Sequence, residues 1–251
     1  MKKVLISAPL AGIKQYAMND WLGWIATQTY ENFEVCVCIN GKEQKELEEK
    51  LSQVEITYPD KTIRRLMILN IPETNNLTTI QKITYSRERI RRFAVANDYD
   101  YIFFLDNDTI PSSRDAISKL MNYEKDCISG LYFYKNTKQP VIIDSLTNTN
   151  ISLDKCQVLA ESDSICEVWG FGFGCLLLSR KAFIDKAFDY ELFGEERTDD
   201  FGYCHVLEQS GIKRYFCPLI LCKHIVDSES TKNNIGTKLP FLIHGQDKDR
   251  C

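Results

Sequence analysis

The segment Tyr99-Asp100-Tyr101-Ile102-Phe103-Phe104-Leu105-Asp106-Asn107-Asp108-Thr109-Ile110-Pro111 constrains the fold more than any other stretch. Its apolar and aromatic residues run without a break from Tyr101 to Leu105. A run this short, with no polar alternation, suits a strand buried on both faces rather than a helix. It stops at two carboxylates flanking an asparagine. That ending delivers charge to the carboxyl edge of a sheet, where open α/β sheets bind ligands. In an extended backbone, side chains two apart point the same way, so Asp106 and Asp108 are expected to face one ion. Hard oxygen ligands beside an open cleft suit Mg²⁺ or Mn²⁺ held jointly by protein and a phosphate. The structural alternative is that Asp108 or Thr109 caps a helix starting near Pro111-Ser112-Ser113.

The chain has 251 residues, enough for one large α/β domain or a domain with a C-terminal embellishment. With 44% apolar residues a sizeable core is available. A formal net charge of −4 argues against non-specific nucleic-acid binding, so no nucleic-acid partner is expected. No apolar run approaches the length needed to span a bilayer, and the apolar stretch after Lys2-Lys3 is too short for a signal peptide. A cytoplasmic protein with no transmembrane segment is expected. The ten cysteines lie mostly in apolar runs such as Val35-Cys36-Val37-Cys38-Ile39, where cysteine acts as a small hydrophobe. Cys217, Cys222 and His224, with Cys204-His205, match no common zinc spacing. Without a secretory signal, no disulfide framework is expected.

From the N-terminus, Val4 to Ala8 reads as a buried strand ending at Pro9-Leu10-Ala11-Gly12. A helix is expected from about Gln15 to Thr29, because Met18, Trp21, Leu22 and Ile25 recur at helical spacing. Trp21 and Trp24 are read as core residues. Phe33 to Ile39 forms a second strand, stopped by Asn40-Gly41. Lys42 to Leu51 is a charged helix with a thin apolar stripe and a solvated face, and Leu66 to Asn70 is a third strand. A polar loop at Asn75 to Thr79 leads into a long helix reaching about Asn97. That helix carries Arg87, Arg89, Arg91 and Arg92. Guanidinium groups match phosphate oxygens in a bidentate manner, so the row either binds phosphate or forms a basic solvent face.

Beyond the central strand, Ser112 to Tyr123 is expected as a helix and Cys127 to Lys135 as a strand. Residues 137–163 read as a polar excursion of irregular or hairpin structure. Strand and helix alternate through the first half and strands dominate the second. This suggests a parallel nucleotide-binding half joined to a mixed acceptor-side half. In Trp169-Gly170-Phe171-Gly172-Phe173-Gly174-Cys175, glycine at every second position strips one face of side chains. Glycine in a strand marks close approach of a ligand or of another backbone. The pattern is not the dinucleotide fingerprint. Trp169 either stacks on a sugar or base or packs in the core. Asp199 and Asp200 precede Phe201, Cys204 and Leu207 at helical spacing, and so sit at a helix N-terminus. They serve there either as cap and first-turn acid or as a general base at a cleft edge. His224 follows an apolar strand and is either a nitrogen ligand for the same metal or a polar strand end.

The order of these patches resembles the nucleotide-sugar-dependent glycosyltransferases of the GT-A (Rossmann-like) fold, closest to the family 2 type. The resemblance runs from about Lys3 to Ile225. It begins with Val4-Leu5-Ile6-Ser7-Ala8-Pro9 and with Gln28-Thr29-Tyr30-Glu31-Asn32-Phe33-Glu34-Val35, which looks like the family's "QTY-x-x-FE" link. Ser86-Arg87-Glu88 stands where the family often has Ala-Arg-Asn. Asp106-Asn107-Asp108 looks like its Asp-x-Asp, and Trp169 to Cys175 like its acceptor-side glycine-rich strand. Asp199-Asp200 with Cys204 resembles its Glu-Asp motif, and His224 its late histidine.

The resemblance implies an α/β fold with a mostly parallel mixed central sheet flanked by helices and a smaller acceptor-side part. The implied domain covers residues 1–225, with a nucleotide-binding half at 1–110 and an acceptor half at 111–225. Residues 226–251 would form a C-terminal tail that either folds over the site as a lid or hangs free. It further implies a Mn²⁺- or Mg²⁺-dependent enzyme. A sugar would move from a UDP- or GDP-sugar to a hydroxyl of a glycan, protein or lipid acceptor. Asp108 would bind the ion directly, Asp106 the ion, its water or the ribose, and His224 would complete the metal shell. Pro9, Asn40, Arg87, Asn107, Trp169 and Gly170 would contact the donor, Arg87 at the pyrophosphate. Asp200, with Asp199 beside it, would deprotonate the acceptor and give inversion. Asn40 stands where many relatives have an Asp that reads uracil; its amide can donate and accept. Asp199 replaces the usual Glu, and Gly202 stands where some relatives have another acid. The alternatives are a nucleotidyltransferase, which the missing glycine-rich, lysine-containing phosphate loop disfavours, and a catalytically inactive nucleotide-sugar-binding relative.

Overall fold

Residues 1–11, 16–41, 44–57, 62–71, 76–193 and 198–225 are described in the computed structural model of this chain. The first half alternates strand and helix. It comprises β1 (Val4–Leu10), α1 (Met18–Ala26), β2 (Phe33–Ile39), α2 (Gln44–Leu51), the hairpin β3 (Glu55–Thr57) and β4 (Ile63–Arg65), β5 (Met67–Asn70), α3 (Thr79–Ala96) and β6 (Tyr101–Leu105). Next come β7 (Thr109–Pro111), α4 (Ala116–Asn122), β8 (Cys127–Leu131), β9 (Ile142–Ile143), α5 (Leu153–Glu161), β10 (Cys166–Val168), β11 (Gly170–Phe171) and β12 (Cys175–Ser179). The short α6 (Arg180–Phe183) and α7 (Tyr190–Phe193), then α8 (Asp199–Gln209) and β13 (Arg214–His224), complete the described chain.

The main sheet has the order β10-β13-β8-β12-β6-β1-β2-β5, with β7 paired to β13. β6, β1, β2 and β5 run parallel to one another. β12 enters antiparallel between β6 and β8, while β13 lies parallel to β8. The sheet is thus mixed, with a parallel nucleotide-type portion. β6 explains its own composition. Phe103 and Leu105 point into a core shared with Trp21 and Ile25 of α1, Leu47 and Leu51 of α2 and Ile117 and Leu120 of α4. Ile102 and Phe104 point the other way, into a core shared with Ile90 and Ala94 of α3 and Tyr203 and Leu207 of α8. Helices on both faces demand apolar residues at every strand position. Trp21 Nε1 donates to the Leu105 carbonyl at 3.0 Å and Trp24 Nε1 to that of Ser113 at 3.2 Å, so both indoles satisfy their polar atom inside the core.

α3 starts with a reciprocal cap. Thr78 Oγ1 accepts from Gln81 N and Gln81 Oε1 accepts from Thr78 N, at 3.2 and 2.8 Å. Two segments depart from expectation. The excursion over 137–163 contains α5, whose Ser152 Oγ caps Lys155 N at 3.2 Å; its buried side is little more than Cys156, too thin a stripe to stand out in sequence. The strand expected to reach Lys135 stops at Leu131, because Tyr132 turns across the glycine-rich segment.

That turn accounts for the repeated glycines. A Cβ at Gly172 would lie 2.0 Å from the Tyr132 hydroxyl and 2.8 Å from Val141 Cγ1; one at Gly174 would lie 2.8 Å from Tyr132 Cζ. The Tyr132 hydroxyl accepts from Gly174 N at 3.0 Å. The cleared face therefore receives an aromatic ring of the same chain. Gly172→Ala is expected to destabilise the fold by about 1–3 kcal/mol, read as a lower denaturation midpoint in urea, because neither Tyr132 nor Val141 has space to retreat.

Candidate active site

Three parallel strands end side by side, at Pro9-Leu10 of β1, Asn40 after β2 and Asp106 after β6. Pro9 is buried opposite Cys38. Asn40 is buried as well. Its backbone N donates to Leu10 O at 3.0 Å, and Nδ2 donates to Ser86 Oγ at 3.0 Å. Ser86 passes its own proton to Lys82 O of the same helix, at 2.7 Å. The amide of Asn40 is thereby fixed in one orientation.

Asp106-Asn107-Asp108 is a turn, not a continuation of the strand. Asp106 N donates to Gly174 O at 3.1 Å and Thr109 N closes back on Asp106 O at 2.8 Å. The chain has to turn here because β7 pairs antiparallel with β13 immediately afterwards. The expectation of an extended backbone through Asp108 is corrected accordingly, and the two carboxylates have different neighbours. Among the described residues, no group of three or more His, Cys, Asp or Glu side chains gathers to hold a metal. The capping alternative is not realised either, since Asp115 occupies the N-cap of α4 and Thr109 belongs to β7.

Asp108 is 0% exposed. Its Oδ2 lies 3.0 Å from Lys135 Nζ and 3.6 Å from His224 Nε2. His224 Nδ1 lies 2.9 Å from the Phe133 carbonyl, which can only accept. Nδ1 therefore donates to that carbonyl, and Nε2 is the ring nitrogen that faces Asp108. A metal-binding imidazole usually donates its other ring N–H to such a carbonyl. Asp108 and His224 thus offer one oxygen and one nitrogen to a cation. Mg²⁺-type ions commonly take one or two protein ligands and complete their shell with phosphate and water, so this pair fits such an ion.

Arg87 sits beneath Asp106 with only 4% of its side chain exposed. Its guanidinium lies over the Phe104 and Phe173 rings at 5.3 and 5.0 Å. Nε lies 2.5 Å from Asp199 Oδ2 and Nη2 3.5 Å from Asp106 Oδ1, while Nη1 has no hydrogen-bond partner among the described residues. Burial works against its charge, and Asp199 and Asp106 outweigh that and hold the group firmly cationic. Of the other three arginines, Arg91 and Arg92 pair with Glu88, and Arg89 is exposed. Arg87→Met is expected to cost about 3–5 kcal/mol of stability, measured by chemical denaturation, since it strands a buried Asp199 carboxylate.

Asp199 and Asp200 open α8, behind Thr198 at the N-cap. Asp199 is buried against Arg87 and acts as its counter-ion. Asp200 is half-buried and receives the Thr198 hydroxyl and the Phe201 backbone N, the latter at 2.8 Å, both on Oδ1. Burial first, and then the charge of Asp199, push the Asp200 carboxyl up to about 6. The charges of Asp200 and Asp106 both reach Tyr132, which joins the two ends of the site. Trp169 is half-buried and stacks on Phe201, with ring centroids 6.1 Å apart at 28°. Its carbonyl accepts from Arg214 Nε at 2.6 Å. A Cβ at Gly170 would meet Phe201 and Cys204 at 3.3–3.4 Å, so this glycine sets how closely α8 packs and stands next to the helix rather than open to the cleft. Lys135 and Tyr132 were missed in the sequence. Each ends a strand-like run without any local pattern naming its partner.

No family model matches the sequence, and no curated protein matches it. Solved structures do match, over about nine-tenths of this chain. A197 from STIV aligns at 16% identity with a TM-score of 0.52, over 90% of this chain and 86% of that one. GalNAc-T7, solved with UDP, GalNAc and Mn²⁺, aligns at 10% identity with a TM-score of 0.59, over 90% of this chain and 44% of that one. The mannosyltransferase PcManGT from Pyrobaculum calidifontis, solved with GDP-Man and Mn²⁺, aligns at 14% identity with a TM-score of 0.56, over 91% and 58%. This chain therefore spans about half the length of the last two. The fold is the GT-A, Rossmann-like fold of nucleotide-sugar glycosyltransferases. Among the described residues no helix is long and apolar enough to cross a membrane, and the 226–251 tail lies outside them.

Proposed function

We propose that this chain is a metal-dependent glycosyltransferase that moves a sugar from a nucleoside-diphosphate sugar to an acceptor hydroxyl. The observation that carries the reading is the facing pair Asp108 Oδ2 and His224 Nε2, 3.6 Å apart at the carboxyl edge of a GT-A sheet. A divalent ion, Mn²⁺ or Mg²⁺, held there would neutralise charge building on the departing diphosphate. The Mn²⁺-bound sugar-transferring neighbours support the same kind of chemistry. Arg87 Nη1, buried and without a partner, would reach the diphosphate, with Asp106 between it and the ribose or an ion-bound water. Pro9 and Asn107 would frame the nucleotide. Asn40 has its Nδ2 engaged by Ser86, which leaves the amide oxygen for an N–H on the base edge.

Asp200 would take the acceptor proton through Oδ2, since its two hydrogen bonds fall on Oδ1. In-line attack then inverts the anomeric centre. Asp199 is assigned to holding Arg87 rather than to proton transfer. Trp169, beside Asp200 on the acceptor side, would supply an apolar face for a sugar ring.

The test is release of nucleoside diphosphate from a panel of UDP- and GDP-sugars with Mn²⁺, with Mg²⁺ and with EDTA. One donor consumed with metal and spared by EDTA is the expected result. If no donor is consumed, and calorimetry detects no metal-dependent donor binding, the reading is wrong.

A further inference from the structure

Lys135 answers a question that the Asp108–His224 pair poses. Asp108 is a fully buried carboxylate whose Oδ2 lies 3.6 Å from His224 Nε2, and a buried carboxylate calls for a cation beside it. Among the described residues, the Lys135 ammonium is a cation 3.0 Å from Asp108 Oδ2. It also donates to the Tyr16 hydroxyl at 3.3 Å, which in turn donates to Ile225 O at 3.4 Å. Ile225 N closes the ring on Asp108 O at 2.7 Å.

The two sides of this ion pair differ in freedom. Asp108 is pinned by its turn and by the β7–β13 pairing that follows. Lys135 stands at the tip of a hairpin, next to Asn136 in the left-handed region (φ 59°), with 42% of its side chain exposed. It can leave Asp108 without disturbing the core.

We propose that Lys135 is the resident counter-cation of the Asp108–His224 pair, exchanged for a divalent ion when a nucleoside diphosphate arrives, and that it then pairs with the diphosphate. This rests on the reading of the pair as the cation site given above. The argument is one of charge and reach. The ammonium lies 3.0 Å from the Oδ2 that would ligate the ion, so like-charge repulsion drives it off when the ion enters. The flexible four-carbon stem keeps that ammonium within a few ångströms of the ion, where the ion's phosphate ligands must lie. The same lysine therefore opposes the ion when the ion comes alone and favours it when it comes with a diphosphate. Lys135 couples the two ligands and discourages metal binding by the nucleotide-free protein.

The experiment is calorimetric titration of Mn²⁺ into the full chain and into Lys135→Met and Lys135→Arg, each alone and with saturating UDP or GDP. Asp108→Ala serves as the blank, and thermal melts show that each variant is folded. Lys135→Met is expected to bind Mn²⁺ alone about tenfold more tightly than the parent. With Mn²⁺ present, it should bind the nucleoside diphosphate about tenfold more weakly. Lys135→Arg should stay near the parent in both. Equal Mn²⁺ affinity in parent and Lys135→Met overturns this proposal and leaves the metal site standing. If neither protein binds Mn²⁺, with or without nucleotide, the metal reading itself falls and takes this proposal with it.

Discussion

Asp108→Ala should lower metal-dependent turnover of the nucleotide-sugar by about 10³-fold or more. Asp108 is fully buried, faces His224 Nε2 and has a cation already on it. Lewis-acid stabilisation of a leaving diphosphate is worth several kcal/mol, and each 1.36 kcal/mol is about a factor of ten. The variant should also lose its response to Mn²⁺ and EDTA. Its stability should change little, because the partner left behind, Lys135, can turn into solvent. Melting curves separate the two effects: low activity at an unchanged melting temperature is the expected pair of results. Full turnover in Asp108→Ala would remove Asp108 from the chemistry. Asp106→Ala is expected to act differently. Asp106 neighbours Arg87, so its loss should be felt in donor affinity more than in metal response.

Asp200→Asn is the second large effect expected, with transfer slowed by about 10²–10⁴-fold and donor binding unchanged, as for loss of a general base. A pH profile adds a signature that a merely structural role would not produce. The Asp200 carboxyl titrates at about 6, raised first by burial and then by Asp199. A base works only when deprotonated, so kcat/KM should fall by about tenfold per pH unit below that value and be flat above it. The Asn variant should lack this limb. Removing the Asp199 charge should move the limb to lower pH, because a neighbouring negative charge is one of the two causes holding it up. A limb unmoved in Asp200→Asn would assign the base to another residue. Asp199 itself should be read by stability as well as by rate, since it is the buried partner of Arg87.

Much of the fold was legible because its signals are local. The apolar run over Tyr101–Leu105 and the helical spacing of Met18, Trp21 and Ile25 are each set within a few residues. Strand positions and the α8 start at Asp199 follow from them. What was missed was short or carried little apolar pattern. The β3–β4 hairpin has three-residue strands, α5 hides in a polar stretch, and β7 is three residues directed by its partner β13. The glycine-rich segment could be seen to need an empty face, but nothing near it in sequence named Tyr132 as the occupant.

The sequence by itself determined the longer strands and helices in their order and the delivery of acids and an asparagine to one sheet edge. Hydrophobic periodicity and turn chemistry act over a handful of residues, so they can be read one segment at a time. Only the tertiary structure decided which acid faces which partner. Asp106 and Asp108 are two residues apart yet part company, one toward Arg87 and the other toward Lys135 and His224, because pairing of β7 with β13 forces a turn between them. Asp199 and Asp200 are adjacent yet differ in burial, because the first turn of α8 aims one at Arg87 and leaves the other half-open beside Trp169 and Phe201. Charges on neighbouring residues are equivalent in a sequence. Long-range packing separates their surroundings, and with them their chemistry.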